Sequence, residues 1–351
     1  MLKNSSDSRV IVDGSSLGFS TSRKVAGLPM HVRLYRQLKK AGYSTVYLKE
    51  STPGTLISYY NDNWKTDFSD FDSVEGDTPI FNGAGLYKIN DIIDFKDGVV
   101  SEISPVMIAK NDRDLGEIQK YLWKDLRKPI ENDGIVAYYL SRPVSRVFSR
   151  VLINFPVTPN HATLISAFMA FSGALAVAFP GLLILGAILY WFSNVFDCVD
   201  GEIARLKVEG SVFGQWLDSI VDDLATIAFS IGLGFAVLSQ SHLAILMWTS
   251  AGLYAISSIM VYKVLNRIGV IDTAQYPYFF LGEKGSASKE KGPFTYISYL
   301  FRRDVILFIH LVFSLAGFLK GMYYLQVSIN LGMAGITFLD QFVRLFKKNH
   351  I

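Results

Sequence analysis

The aspartates of one stretch carry the strongest chemical signal in the chain. The segment Phe196–Asp223, FDCVDGEIARLKVEGSVFGQWLDSIVDD, places Asp197, Asp200, Asp218 and Asp222 between long apolar runs. Residues three or four apart share one face of a helix, so each pair of aspartates shares a face. One aspartate at the centre of a membrane helix costs about 2.5–3.5 kcal/mol on insertion. Four such residues therefore require a compensating charge.

Divalent cations are the compensation that these residue types favour. Carboxylate oxygens select Mg²⁺, Mn²⁺ or Ca²⁺ over zinc, which prefers nitrogen and sulfur. Two cations held by carboxylates suit phosphoryl transfer, because they neutralise a diphosphate and stabilise the entering and leaving oxygens. Gly201 and Gly214 allow close backbone approach, and Arg205 offers a guanidinium fork to a phosphate. The stretch therefore predicts a site for a diphosphate at the membrane surface, with a pair of these hard divalent cations.

A purely structural interpretation is that the acids only pair with nearby cations. Arg205 and Lys207 suffice for two carboxylates and leave the others without a counter-charge. Asp223 points about 100° away from Asp222 on a helix, and we interpret it as a bystander. The lone cysteine, Cys198, excludes an intramolecular disulfide, and we interpret it as a packing residue.

The hydropathy pattern indicates which elements hold these residues. The chain has 351 residues, 50% of them hydrophobic, and a net charge of +3. Charged and mixed sequence extends to about Asp133, and long apolar runs follow from Thr158. This asymmetry predicts a soluble domain followed by a membrane domain. No signal peptide is expected at the N-terminus.

Six apolar segments reach or approach the length that spans a bilayer. They are approximately Asn160–Phe179, Leu182–Val199, Trp216–Leu238, Leu243–Val264, Val305–Leu319 and Tyr323–Phe346. The short fifth segment has a core helix as its alternative. Basic residues precede the first segment, lie between the second and third and between the fourth and fifth segments, and follow the sixth. The other three connections carry one lysine between them. Both termini and the aspartate end are therefore expected to face the cytoplasm.

The segment Ser141–Asn154 predicts a helix lying in the membrane interface. Arg142, Arg146 and Arg150 follow one another at intervals of four residues, and the opposite side of the helix is apolar. This pattern is typical of arginines that face lipid headgroups or a phosphate, with a merely solvated face as the alternative. Further basic residues, including Arg302 and Arg303, would either bind an acceptor phosphate or anchor the chain to anionic lipid, and we favour the anchor for most of them.

The spacing of the aspartate stretch resembles the signature of the CDP-alcohol phosphotransferases, also called CDP-alcohol phosphatidyltransferases. The signature reads Asp197-x-x-Asp200-Gly201-x-x-Ala204-Arg205, eight residues, then Gly214-x-x-x-Asp218-x-x-x-Asp222. Every fixed position is present, and the resemblance extends from Thr158-Pro159-Asn160 through all six segments. The resemblance implies six transmembrane helices carrying a site at the cytoplasmic surface.

The resemblance also implies a role for each position. Asp197, Asp200, Asp218 and Asp222 would ligate the two Mg²⁺ or Mn²⁺ ions, and Asp222 would also take the proton from the acceptor alcohol. The motif has no histidine for that task, and we interpret His161 as an interfacial helix residue. The CDP moiety would be held by Asn160, Thr163, Gly201, Ala204, Arg205, Ser211 and Gly214.

The family's reaction displaces CMP from a CDP-alcohol and joins two alcohols through a phosphodiester. The implied donor is CDP-diacylglycerol or CDP-inositol, and the acceptor is an alcohol such as inositol phosphate or glycerol phosphate. Membrane lipid and a second copy of the chain, as a homodimer, are the other expected partners. No nucleic-acid partner is expected.

The N-terminal region predicts an α/β domain. Strands are expected at Val10–Val12, Thr45–Leu48 and Val106–Ala109, and helices at Met30–Lys40 and Asp114–Leu126. This alternation indicates a parallel sheet. The arrangement is similar to the sugar nucleotidyltransferases and cytidylyltransferases. The predicted domains are 1–135 for this cytoplasmic part, 136–156 for the interfacial helix and linker, and 157–351 for the membrane part.

The glycine-rich loop of this domain departs from the nucleotidyltransferase pattern. Gly14-Ser15-Ser16-Leu17-Gly18 leads to Arg23-Lys24 without the usual Gly-x-Gly-x-Arg and Pro-Lys. This departure favours a binding or scaffolding domain. The active alternative is suggested by bifunctional relatives, in which a cytidylyltransferase that makes CDP-inositol is fused to the membrane domain.

Two other classes of function compete with the transferase. Carboxylates inside a membrane domain also line the ion paths of cation transporters, but those acids are expected near mid-span on several helices. Here they cluster near the ends of two helices. A membrane-anchored nucleotide-binding module without catalysis is the other alternative, and it requires the aspartates to be inert.

Overall fold

A computed structural model describes residues 9–13, 24–43, 45–49, 79–82, 84–127, 129–270, 276–278 and 302–348. The chain divides into two compact units. The first comprises Met1–Arg127, Ile153–Pro156 and Ile203–Glu209, and the second comprises Lys128–Leu152, Val157–Glu202 and Gly210–Ile351. The predicted domain limits at 135 and 156 stay a prediction. The predicted Gly/Ser loop at 14–22 lies outside the described residues.

The first unit contains a small parallel sheet. Its strands are β1 (Arg9–Asp13), β2 (Thr45–Lys49) and β3 (Ile80–Asn82), in the order β2-β1-β3, and both partners run parallel to β1. Two short strands, β4 (Gly85–Leu86) and β5 (Met107–Ile108), pair antiparallel. The helices are α1 (Met30–Lys40), α2 (Ile89–Lys96) and α3 (Asp112–Asp125). The first two predicted strands pair in parallel, and the predicted limits of α1 are confirmed. The third predicted strand, Val106–Ala109, is corrected: it overlaps β5, which pairs antiparallel with β4 outside the parallel sheet.

A buried arginine is the notable polar feature of the first unit. Arg33, on α1, donates to the carbonyl oxygens of Val25 at 2.9 Å and Leu206 at 2.5 Å. Burial, together with neighbouring Arg36, lowers its pKa to about 10, so the guanidinium stays charged at neutral pH. Arg36 donates to the carbonyl oxygen of Lys207 and to the Glu209 carboxylate, both at 2.7 Å. Two arginines of α1 therefore bind the segment that ends near residue 209.

Helices build the described part of the second unit. They are α4 (Ile130–Asp133), a π-helical turn (Ala137–Ser141), α5 (Arg142–Leu152), α6 (Pro159–Val177), a 3₁₀ turn (Pro180–Leu182), α7 (Leu183–Lys207), α8 (Val212–Ala236), α9 (Ser241–Ile268), α10 (Arg303–Leu315) and α11 (Leu319–Lys348). The last turn of α7 falls in the first unit.

Within the described ranges, four stretches of helix have the length and apolar composition of membrane spans. They are Pro159–Val177, Pro180–Lys207, Val212–Ala236 and Ser241–Ile268. They correspond to the first four predicted spans. The fifth and sixth stay predictions, because α10 has only 13 residues and α11 has 30 residues of more polar composition. The chain is therefore mostly helical, with the character of a polytopic membrane protein.

Caps and small residues fix where these helices begin and how closely they pack. Thr158 and His161 form a capping box at the start of α6, so the role of His161 is confirmed as that of a helix residue. An added Cβ at Gly173 would lie 2.8 Å from the carbonyl oxygen of Gly186. Small residues at this contact thus allow the backbones of α6 and α7 to approach, as is common between membrane helices.

Helix α5 corrects one prediction. Arg142 does not face lipid headgroups, because its side chain is only 8% exposed and forms ion pairs with Asp133 and Glu202. Arg150 is exposed, whereas Arg146 is partly buried. Of the predicted arginine stripe, only Arg150 at its C-terminal end is exposed, because the buried carboxylates of Asp133 and Glu202 bind Arg142.

Candidate metal and nucleotide site

The predicted metal ligands lie on two helices. Asp197 and Asp200 belong to α7, and Asp218 and Asp222 to α8. Asp197, Asp200 and Asp218 each offer a carboxylate oxygen, and these three oxygens lie within 4.8 Å of one another. The structure therefore brings three of the four predicted ligands into one group.

A hydroxyl from a third helix orients one of these carboxylates. Thr163, on α6, donates its hydroxyl to Oδ2 of Asp200 at 2.6 Å, and Asp200 is buried. The sequence predicted Thr163 as a contact of the CDP moiety. The structure adds a contact to a metal-ligand candidate, one turn after the cap of α6.

An arginine that the sequence did not assign to the carboxylates reaches the fourth aspartate. Arg303, the first residue of α10, forms an ion pair with Asp222 and lies 3.7 Å from Asp197. Its side chain is 24% exposed, so solvent screens these pairs in part. The sequence favoured a role in anchoring to lipid for most of these basic residues. The separation of 81 positions between Asp222 and Arg303 explains why no local pattern indicated this contact.

The donor set fits hard divalent cations. Three carboxylate oxygens within 4.8 Å repel one another, and one guanidinium compensates only part of the charge of four aspartates. All the available donors are oxygens, which suits Mg²⁺, Mn²⁺ or Ca²⁺. The group can therefore hold at least one such ion.

Three of the residues predicted to hold the nucleotide lie together at the start of α8. Ser211 caps this helix by accepting a hydrogen bond from the Gly214 amide at 3.0 Å. A Cβ at Gly214 would lie 3.2 Å from both Asn160 Oδ1 and Ser211 Oγ. Only a glycine leaves this space between two polar side chains open.

The remaining predicted nucleotide contacts lie on α7. Gly201 follows Asp200 directly, and Ala204 and Arg205 come within the next turn. Arg205 is exposed, and both Ala204 and Arg205 belong to the first compact unit.

Asp223 has a structural contact of its own. The Tyr254 hydroxyl donates to Asp223 Oδ1 at 2.6 Å, and the Tyr262 hydroxyl donates to the Ser219 carbonyl oxygen at 2.9 Å. Trp216 stacks on Tyr262 with ring centroids 5.4 Å apart. Two tyrosines of α9 therefore hold α8 on the side of Asp223. The spacing of eight residues between the two tyrosines puts them on one face of a helix, and this was the sequence pattern from which the contact could have been predicted.

Comparisons with known proteins point to the same residues. The family model described as CDP-alcohol phosphatidyltransferase matches residues 156–289. A bifunctional IPC transferase and DIPP synthase from Aquifex aeolicus is 28% identical over 224 residues, which is 64% of this chain and 47% of that protein. A phosphatidylinositol phosphate synthase from Corynebacterium glutamicum is 38% identical over 74 residues, 21% of this chain and 34% of that protein.

One solved structure is also similar. It is a crystal structure of phosphatidylinositol phosphate synthase from Mycobacterium tuberculosis with CDP-DAG bound, 20% identical, covering 57% of this chain and 92% of that chain at a TM-score of 0.40. The chain spans less than half the length of the curated relatives named above. The family match encloses the capping threonine of α6, all four aspartates and the glycines of the signature. Residues 156–289 of this chain, which include the four aspartates, are thus similar to the CDP-alcohol phosphatidyltransferase family.

Proposed function

We propose that the chain transfers a phosphoalcohol group from a CDP-alcohol to an acceptor alcohol and releases CMP. The acceptor oxygen forms a bond to the phosphorus distal to cytidine, and the bond from that phosphorus to the CMP oxygen breaks. The acceptor loses its proton, and the product is a phosphodiester. The observation that carries this proposal is the convergence of the Asp197, Asp200 and Asp218 carboxylates inside the matched domain.

Four aspartates would hold the divalent cations in this reaction. They are Asp197, Asp200, Asp218 and Asp222, with two Mg²⁺ or Mn²⁺ ions as the proposed complement. When bound, the ions neutralise the diphosphate charge and stabilise the oxygens that enter and leave. Asp200 is aimed by the Thr163 hydroxyl, which fixes the direction of its Oδ2. Orientation by such a hydrogen bond is typical of ligands in metal sites.

Asp222 is proposed as the base that accepts the proton of the acceptor hydroxyl. Its side chain is 28% exposed, so an acceptor can approach it. Arg303 forms an ion pair with the same carboxylate. Arg303 also places a positive charge where an anionic acceptor would arrive.

The nucleotide is proposed to bind around the start of α8. Asn160 and Ser211 present polar atoms on either side of the open space at Gly214. The amides of the first turn of α8 favour a negative charge at this end of the helix. Thr163, Gly201, Ala204 and Arg205 complete the proposed set.

Donor and acceptor remain proposals drawn from the relatives. CDP-diacylglycerol and CDP-inositol are the two proposed donors. The synthases from Corynebacterium and Mycobacterium carry phosphatidylinositol phosphate in their names, so inositol phosphate is the first acceptor to test, with glycerol phosphate as the second.

The remaining features of the chain are proposed in line with this reaction. We propose six spans in total, with both termini and the site on the cytoplasmic side, because the basic connections lie at that end. A homodimer in the membrane is part of the proposal. The first unit is proposed as a binding or scaffolding domain. The hydrogen bonds from Arg33 and Arg36 to the carbonyl oxygens of Leu206 and Lys207 support a role in stabilising the end of α7.

The test is CMP release by the purified chain in lipid nanodiscs. Each donor is combined with each acceptor in EDTA, in Mg²⁺ and in Mn²⁺, and Asp218→Asn is measured in parallel. We expect CMP from one donor and acceptor pair, only with metal, and none from the variant. CMP formation that persists in EDTA contradicts the metal site. Transport of the divalent cation across the membrane, without any nucleotide binding, would instead support the alternative function of a cation transporter.

A further inference from the structure

A stripe of three serines faces two polar side chains of α7 in the second unit. Ser141, Ser145 and Ser149 follow one another at intervals of four residues along the π-helical turn and α5. On α7, Asn194 donates to the Ser141 hydroxyl at 3.0 Å, and Glu202 accepts from the other two serines. The serines are fully buried. Helix α5 therefore binds one side of α7 along two turns.

Glu202 is the charged end of this contact. Its Oε1 accepts from the Ser145 hydroxyl at 2.8 Å, and its Oε2 accepts from the Ser149 hydroxyl at 2.7 Å. Arg142 donates to the same Oε1 at 3.3 Å. The side chain of Glu202 is 1% exposed, so three donors rather than water hold its negative charge.

Arg142 is shared between two buried carboxylates. Its Nε and Nη2 donate to the two oxygens of Asp133 at 2.9 and 2.8 Å, and its Nη1 points to Glu202. Burial alone lowers the pKa of Arg142, but the nearby groups of Cys198, Asp133 and Glu202 outweigh burial and raise the pKa above its ordinary value. The guanidinium thus stays charged and pairs mainly with Asp133, while the hydroxyls of Ser145 and Ser149 stabilise the Glu202 carboxylate.

The position of Glu202 relative to the metal ligands gives this network a consequence. Glu202 follows Asp200 by two residues on one continuous helix, on a different side from Asp197 and Asp200. A small rotation of α7 about its axis would displace both aspartates together. Sites that bind metal ions require ligands held to within about 0.5 Å by supporting hydrogen bonds.

We propose that Glu202, held by Ser145, Ser149 and Arg142 of α5, is a positioning residue that sets the rotation of α7 and so places Asp197 and Asp200 for metal binding. The inference rests on the proposed function, because it assumes that these aspartates hold a divalent cation. A buried ion pair is often no more stable than apolar residues of equal volume. The geometry that the network imposes is therefore its contribution.

The test measures metal binding directly. Mn²⁺ binding to the full chain in nanodiscs is followed through the loss of the free-ion EPR signal, and CMP release is measured at several Mn²⁺ concentrations. The variants are Ser145→Ala with Ser149→Ala, which keeps the charges, and Glu202→Gln, which keeps the shape. Ser314→Ala is the matched control, because this buried serine of α10 donates to the Leu311 carbonyl oxygen of its own helix.

We expect the Mn²⁺ Kd to rise about 10-fold or more in both test variants. The Mn²⁺ concentration for half-maximal CMP release should rise with it, and the rate at saturating Mn²⁺ should change less. The melting temperature in EDTA should fall below that of Ser314→Ala, because each test variant removes a partner of a buried charge, and binding is compared at a temperature where all variants are folded. A Kd within twofold of the parent chain in both variants overturns the proposal, as does a loss of binding that only follows a loss of folded protein. If the parent chain itself binds no Mn²⁺, the proposed function fails instead.

Discussion

Two groups of polar side chains in the described part of the second unit differ in kind. One is the carboxylate group of Asp197, Asp200 and Asp218, with Asp222 beside it. The other is a deep network of neutral side chains from four helices, each at most 1% exposed: Ser230, Ser250, His310, Gln326 and Asn330. Both interrupt apolar helices, and only one resembles a site for chemistry.

The members of the deep network form hydrogen bonds with one another, and among the described residues only His310 Nδ1 of this group lacks a partner. Gln326 donates to the Ser230 hydroxyl at 3.1 Å and to Asn330 Oδ1 at 3.0 Å. Asn330 donates to the hydroxyls of Ser230 at 3.0 Å and Ser250 at 3.2 Å. His310 and Gln326 pair at 3.0 Å. These bonds join α8, α9, α10 and α11, as amides and hydroxyls commonly do between membrane helices.

The carboxylates lack that mutual complementarity. Ionised carboxylates only accept hydrogen bonds, so they cannot pair with one another. Among the described residues, Thr163 donates to Asp200 and Arg303 forms an ion pair with Asp222. Polarity inside a helical bundle thus indicates chemistry when like charges converge, and indicates structure when donors and acceptors match.

The largest effect is expected from the proposed base. Asp222→Asn should lower CMP formation by about 10³-fold, because general-base catalysis contributes about 10²–10⁴-fold. The rate is measured in nanodiscs at saturating Mn²⁺. Asp223→Asn is the matched control, because the Asp223 carboxylate binds Tyr254. The rate of CMP formation should fall by less than about 10²-fold in this control. Equal losses in both variants would contradict the assignment.

Metal should stabilise the carboxylate group and leave the deep network unaffected. At about 100 times its Kd, Mn²⁺ should add about 2.7 kcal/mol to the free energy of unfolding. The increase should disappear in Asp218→Asn, which removes one ligand, and persist in Asn330→Leu. Melting temperatures in EDTA and in Mn²⁺ provide the measurement. An increase that survives Asp218→Asn would place the stabilising ion elsewhere.

The deep network should matter for stability alone. Asn330→Leu removes three hydrogen bonds and should lower the free energy of unfolding by about 1–2 kcal/mol, in line with polar contacts between membrane helices. Denaturant titration in mixed micelles measures this change, and CMP formation by the folded variant should stay within about twofold. A large loss of rate in folded protein would show that the network serves the reaction.

The smallest effect is expected at the start of α8. Gly214→Ala places a methyl group 3.2 Å from Asn160 and Ser211, and the KM for the CDP-alcohol should rise about 10-fold, or about 1.4 kcal/mol. Gly335→Ala is the control, because a Cβ there meets no atom within 4 Å. An unchanged KM in Gly214→Ala would remove this space from the nucleotide site.

Features that lie within one helix or one segment could be predicted from the sequence. Spacing alone paired the aspartates on their helices, and hydropathy located four of the candidate spans, because both patterns repeat within one element. Helix α1 was predicted with its observed limits for the same reason.

Long-range contacts were not predictable in this way. Arg303 reaches Asp222 across 81 positions, and Glu202 meets α5 across more than 50. A one-sequence pattern gives no register between distant helices, so the arginine stripe of α5 was recognised and its serine stripe was not. Polar residues within the apolar runs, such as Asn330 and Gln326, were visible signals of the deep network.

The end of α7 bears on how the chain can be divided. Ile203–Glu209 belongs to the first compact unit, where Arg33 and Arg36 bind the carbonyl oxygens of Leu206 and Lys207. Removing residues 1–127 would leave these helix-end carbonyls without their arginine donors and uncover the buried side chain of Leu206. The two units are thus not modular along the chain, and loss of activity in a shortened protein would not by itself show that the removed residues take part in catalysis.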